Sequence, residues 1–135
     1  MNLSGKAVKH WLAAENVPVD HCLVIYDDID LPLGIFKLKP KGGGGTHNGI
    51  GNIIETLGHS DIPRMRCGIG KDYAQGYQVN YVLSRFSSEE LKLVEPCIAR
   101  AVSAVKSFVT VGMQLTMNQF NTKETELAKT LESGC

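Results

Sequence analysis

The run Cys22-Leu-Val-Ile-Tyr26 is short, nearly continuous in apolar side chains, and leads straight into Asp27, Asp28 and Asp30. Its β-branched and aromatic members predict a strand buried on both faces, inside a sheet covered from both sides. The covering layers are legible in the flanking segments. Upstream, Leu3, Ala7, Val8, Trp11, Leu12 and Ala14 recur at helical spacing, with Ser4 or Asn2 as a cap and Pro18 beyond the end. Downstream, Ile35–Lys39 alternates, with Phe36 and Leu38 on one face and Lys37 and Lys39 on the other, which predicts a strand with one basic, solvated face. Gly42–Gly45 is a glycine-only loop, and Ile50, Ile53, Ile54 and Leu57 then repeat at helical spacing from a Thr46 cap to a stop at Gly58. Arg64–Gly70 predicts a further strand in which basic and apolar side chains alternate. Lys71–Gly76 reads as a polar loop, and Val79–Leu83 as a short element of either type. Ser87-Ser-Glu-Glu90 predicts a helix start, and Leu91, Val94, Ile98, Ala101, Val102, Val105 and Val109 carry that helix to Gly112, with a kink or break at Pro96. Met113–Phe120 fits one more short helix. Strands alternating with helices place the chain in the α/β class.

A length of 135 residues accommodates one domain, read here as 1–121, followed by a polar tail, 122–135, with a weak Leu127/Leu131 pattern. Hydrophobic residues at 43% suffice for a packed core. Fourteen Lys+Arg against 14 Asp+Glu give zero net charge, which excludes a globally basic nucleic-acid binder and permits a local basic patch. No apolar run of about 18 residues is present, so no membrane-spanning helix is expected, and no signal-peptide pattern is visible. Cys22, Cys67, Cys97 and Cys135 form no pair with metal-ligand spacing. They read as free thiols in a reducing compartment, so an intracellular protein is expected.

Three features carry chemistry. Asp27 stands at the carboxyl end of a strand, where open α/β sheets bind ligands. A carboxylate there either orients an imidazole or, like Asp28 and Asp30, makes turn hydrogen bonds. Three carboxylates in one turn do not by themselves specify a metal, and none is assigned. The glycine loop allows close approach of backbone or ligand. It is neither a Walker A loop nor a dinucleotide fingerprint, since no Gly-Lys-Ser/Thr follows and the helix placement is wrong. His47 and Asn48 at the head of the following helix are a hydrogen-bonding imidazole and an amide with both donor and acceptor. Lys37 and Lys39 share one strand face and Lys41 follows at the same spacing, and Arg64 and Arg66 share a face of another strand. They read either as a phosphate-binding patch or as solvated surface charge.

In order, Met1-Asn-Leu-Ser-Gly-Lys-Ala-Val8, Tyr26-Asp-Asp-Ile-Asp-Leu-Pro-Leu-Gly34, Gly42-Gly-Gly-Gly-Thr-His-Asn-Gly49 and Arg64-Met-Arg-Cys-Gly-Ile-Gly70 resemble the bacterial-type peptidyl-tRNA hydrolases. Val82-Leu83 before Phe86 fits as well, and the resemblance extends to about Asn121. It implies a monomeric α/β globule, a mixed twisted sheet surrounded by helices, acting on the ester between a peptide and the 3′ ribose of tRNA without metal or organic cofactor. Residue by residue, it implies that Asp27 supports the catalytic histidine and that His47 is a second active-site histidine. It implies that Met1 lines the cleft, Asn2 contacts the peptidyl-adenosine end and Asn48 holds substrate or the attacking water. It further implies that Lys39 and Arg66 clamp the tRNA 5′-phosphate. Gly44-Gly45-Thr46 depart from the loop of many relatives, and Tyr26 stands where His is common.

The main departure is at the start. The family's apolar first strand, its Asn and its Thr-Arg-His-Asn string, which holds the general base, do not precede this methionine. The chain therefore reads as an N-terminally truncated member, and the absent strand, central in the family sheet, predicts exposed apolar surface and an unpaired edge. His10, His21 and His59 lie away from the site pattern, leaving His47. The expectation is peptidyl-tRNA ester hydrolysis weakened by loss of the base, against two alternatives: a tRNA-binding relative without catalysis, and an inactive shortened product. Cytoplasm is the expected compartment, with a mitochondrial or other organelle address possible upstream.

Overall fold

The computed structural model describes residues 3–45, 47–71 and 85–121. The expectations for Met1, Asn2, Thr46, the Val79–Leu83 element and the tail from 122 lie outside these residues. Within them the chain forms α1 (Ser4–Ala14), a short 3-10 turn (Val19–His21), β1 (Val24–Asp28), β2 (Phe36–Lys39), α2 (Asn48–Leu57), β3 (Arg64–Gly68), α3 (Ser88–Val111) and a last helix, α4 (113–121). The described strands make one mixed sheet in the order β1-β3-β2, with β1 parallel and β2 antiparallel to β3. The α/β class read from the sequence is thus the class found.

Alternation along the strands sorts the side chains into two cores. Leu38 faces Met65 across the β2·β3 ladder, and Phe36 faces Cys67. Phe36, Leu38 and Met65 are fully buried under Ala104 of α3 and Phe120 of α4. Each such side chain is worth about 1.5–3 kcal/mol of apolar burial. The opposite face carries Val24 and Tyr26 of β1, packed with Ile50 and Ile53 of α2 and Val8 of α1. Gly5 brings those two helices together: a Cβ on it would stand 2.6 Å from the carbonyl oxygen of Asn52, and its N–H donates to Asn52 Oδ1 at 2.7 Å.

Several sequence expectations need correction. β1 starts at Val24 and lies at the edge of the described sheet, bonded to β3 on one side, so Ile25 is 54% exposed and the strand is not buried on both faces. Leu3 occupies the cap position of α1, with no side-chain bond there, in place of Ser4. Pro96, where a kink or a break was expected, lies inside one continuous 24-residue helix, so the helix does not break there. The Ser87 hydroxyl and the Glu90 carboxylate form a reciprocal capping box that starts this helix as the sequence indicated. Its apolar positions exceed one stripe: Ala104 and Phe108 are buried, whereas Ile98, Val102 and Val109 remain exposed. Among the described residues, Cys22, Cys67 and Cys97 form no disulfide with one another and are half-buried, and burial raises the pKa of Cys22. No helix among the described residues is long and apolar enough to cross a membrane.

The outer edge of β2 is closed by a side chain. Asn121 Nδ2 donates to the Leu38 carbonyl at 2.9 Å, and its Oδ1 accepts the Leu38 N–H at 3.0 Å, so one amide copies the two bonds of a neighbouring strand. Asn121→Ala leaves both backbone groups of Leu38 without this partner. We expect a loss of about 1–3 kcal/mol in urea unfolding at unchanged m-value. An unaltered midpoint would show that water replaces the amide without cost.

Candidate active site

β1 delivers two consecutive carboxylates to its carboxyl end, and alternation sends them different ways. Asp27 accepts a hydrogen bond from His47 Nε2 at Oδ1, 3.2 Å away, and its side chain is 38% exposed. Asp28 pairs through Oδ2 with Nε of Arg66, and its Oδ1 accepts the Asp30 N–H at 2.8 Å, the turn bond expected of it. Asp30 pairs with Lys71 at 2.6 Å on the surface. Among the described residues, no group of three or more His, Cys, Asp or Glu could hold a metal ion.

His47 caps α2. Its backbone is extended and its Nδ1 accepts the Ile50 N–H at 3.2 Å, satisfying one of the orphan donors of the helix start. That bond fixes Nδ1 as the acceptor, so the ring proton of the neutral imidazole sits on Nε2, where it is donated to Asp27. The Tyr26 ring lies 4.8 Å from the imidazole, centroid to centroid. Gly49 leaves room for the ring: a Cβ there would stand 2.9 Å from His47 Cε1 and 3.2 Å from Nδ1. The imidazole is thereby held on four sides, with neither nitrogen keeping a lone pair for water. The sequence signal missed here was the cap itself, since His is not among the residues usually expected at that position.

Asp27 and His47 touch, and Asn48, the first residue of α2, follows His47 in the chain and is exposed. Met1 and Asn2 lie outside the described residues. Lys39 and Arg66 occupy adjacent strands on one face but are not opposite one another: Lys37 faces Arg66 and Lys39 faces Arg64. Arg66 is tied to Asp28 through Nε, so only part of its fork is engaged. Arg64, read as a surface or phosphate-patch charge, is instead 1% exposed. It is buried because the helices and the glycine loop cover this end of β3, and its guanidinium donates to backbone carbonyls.

Gly49→Ala tests the seat of the imidazole. Ala favours a helix over Gly by about 1 kcal/mol, so helix formation should not suffer, while the ring must move. We expect the His47 Hε2 resonance, protected by Asp27, to be lost or shifted in the variant. An unchanged resonance would mean that the backbone gives way instead.

Comparison with known proteins identifies the family. A sequence model of the family described as peptidyl-tRNA hydrolase matches residues 1–128. The chain is 49% identical over 123 residues to a peptidyl-tRNA hydrolase of Parabacteroides distasonis, a match covering 91% of this chain and 66% of the relative. It is 45% identical over 124 residues to one of Cytophaga hutchinsonii, covering 92% of this chain and 66% of the relative. The crystal structure of peptidyl-tRNA hydrolase from Acinetobacter baumannii superposes with a TM-score of 0.81 at 31% identity, covering 90% of this chain and 61% of that one. The chain thus spans just under two thirds of the length of these relatives. A family match along nearly the whole chain, relatives approaching half identity and a shared fold place it in the peptidyl-tRNA hydrolase family.

Proposed function

We propose that these residues serve the hydrolysis of the ester joining a peptide to the 3′ ribose of tRNA. Water adds to the ester carbonyl carbon, the carbon–oxygen bond to the ribose breaks, and the proton lost by the water ends on the ribose 3′ oxygen. The observation that carries the reading is the Asp27–His47 pair, where a carboxylate meets an oriented imidazole at the end of β1 and the exposed Asn48 follows directly in the chain. In this reading Asp27 holds an imidazole, Asn48 positions substrate or water, and Met1 and Asn2 belong to the peptide end of the cleft. Lys39 and Arg66 take the 5′-phosphate, with no cofactor involved.

His47 acts as an orienting group, not as the base, because Ile50 and Asp27 occupy both of its nitrogens. Residues 1–135 alone therefore hydrolyse the ester slowly. General-base catalysis is worth about 10²–10⁴-fold. Turnover of a peptidyl-tRNA should fall below that of a full-length relative by a factor of this order, and Asp27→Asn should lower what remains. Rates equal to those of the relatives would overturn the impairment, and absence of both turnover and tRNA binding would overturn the reading. We further propose a monomer in the cytoplasm, which sedimentation and fractionation would check.

The basic face formed by Lys37, Lys39 and Arg66 supports a second reading, tRNA binding without catalysis. Each phosphate contact steepens the dependence of log affinity on log salt by about 0.7–0.9. Lys39→Ala should flatten that slope by about one such contact across different tRNA sequences. A slope unchanged by the substitution would remove Lys39 from the phosphate site.

A further inference from the structure

We propose that Arg64 is a positioning residue for the Asp27–His47 site, acting through the glycine loop; the consequence for turnover rests on the hydrolytic reading above. Its side chain is buried, and among the described residues no carboxylate pairs with it. Its charge is met by three carbonyl oxygens: Nε donates to Ile62 at 3.1 Å, Nη1 to Gly43 at 2.8 Å and Nη2 to Ser60 at 3.0 Å. A buried cation with only carbonyl partners is a costly way to fill a core, and an apolar side chain of similar volume is commonly as stable or more so. What an apolar side chain cannot do is hold the loop.

The loop needs holding. Four successive glycines carry no side chains to fix their backbone and lose the most conformational freedom on ordering. Arg64 binds Gly43, while the neighbouring Gly42 N–H donates to the same Ser60 carbonyl that Arg64 engages, at 3.2 Å. From Gly43 the chain of contacts continues without a gap. The His47 N–H donates to the Gly44 carbonyl at 3.1 Å, and the Gly51 N–H to the His47 carbonyl at 3.1 Å. Gly44 lies so close to α2 that a Cβ on it would stand 2.9 Å from Gly51 Cα. The His47 ring then meets Asp27. A planar fork with five donors reaches three diverging acceptors, whereas the single nitrogen of lysine does not.

The test uses the whole chain with Arg64→Lys and Arg64→Met. Both variants should unfold cooperatively, yet the Ile50 amide, which caps onto His47, should exchange with solvent at least tenfold faster. The Ile54 amide, deeper in α2, should hold its protection, and the ring nitrogen shifts of His47 should move. A role in general stability alone would speed both amides together, and that result overturns the proposal, as would unchanged Ile50 exchange in both variants. Should neither variant fold, the unaltered chain decides. Nη protons of Arg64 that are resolved and slow to exchange support the proposal, and a freely rotating guanidinium overturns it. In turnover we expect kcat to fall about tenfold with KM for tRNA unchanged, since Lys39 and Arg66 are untouched. Displaced His47 signals with unaffected turnover support the positioning and overturn the hydrolytic reading. Lost turnover with undisturbed His47 signals overturns the positioning.

Discussion

β3 is hydrogen-bonded on both of its edges, and its five residues determine where the rest of the described chain can go. Met65 points to one side and becomes the centre of the core under α3 and α4. Arg64 and Arg66, one position either way, point to the other side, which α1 and α2 cover. Alternation with period two leaves no freedom in this assignment: a slip of one residue would drive two guanidinium groups into the Phe36–Leu38 core. The parallel pairing with β1 fixes the level at which β1 ends, since Asp28 lies opposite Gly68. The carboxylates therefore emerge at the same end of the sheet as the last turn of β3. Register and site position are one constraint.

That end of the sheet is also where α2 begins. A helix start offers unsatisfied N–H groups and the positive end of the helix dipole, and Asp27 is a negative charge near it. His47 lies between the two, taking an N–H from the helix and giving one to the carboxylate. An imidazole is one of few side chains that both accepts and donates through separate atoms of one rigid ring. Its orientation is consequently set by two bonds in opposite directions and by the Tyr26 ring, with little left to solvent.

Much of this was readable in the residues. Phe36 and Leu38 against Lys37 announced a half-buried strand, and Ile50, Ile53 and Leu57 announced a helix stopped by Gly58, which takes the left-handed conformation. Those features are local, and local periodicity reports them. Three features were not readable, each for a tertiary reason. Exposure of Ile25 depends on what lies beside β1, which the run Cys22–Tyr26 does not encode. Continuity of α3 through Pro96 goes with the packing of Ala101 and Ala104 against the core, which outweighs the local cost of proline. Burial of Arg64 depends on three carbonyls from segments up to 21 residues away. In a strand of alternating basic and apolar residues, nothing local distinguishes it from Arg66.

The adjacent aspartates show how a strand can divide its labour. Asp27 and Asp28 are chemically the same group one residue apart, yet one meets an imidazole and the other a guanidinium. Pleat and register put Asp28 on the same side as Tyr26 and Arg66, which gives it the guanidinium, whereas Asp27 reaches the imidazole at the start of α2 from the carboxyl end of the strand. Under the proposed function, the first serves the ester end of the substrate and the second steadies an arginine for its phosphate end. Removing the Asp28 carboxylate would leave Arg66 without its counter-charge. In that proposal a short edge strand sets two recognition points at a fixed separation, and its pairing with β3 keeps that separation constant.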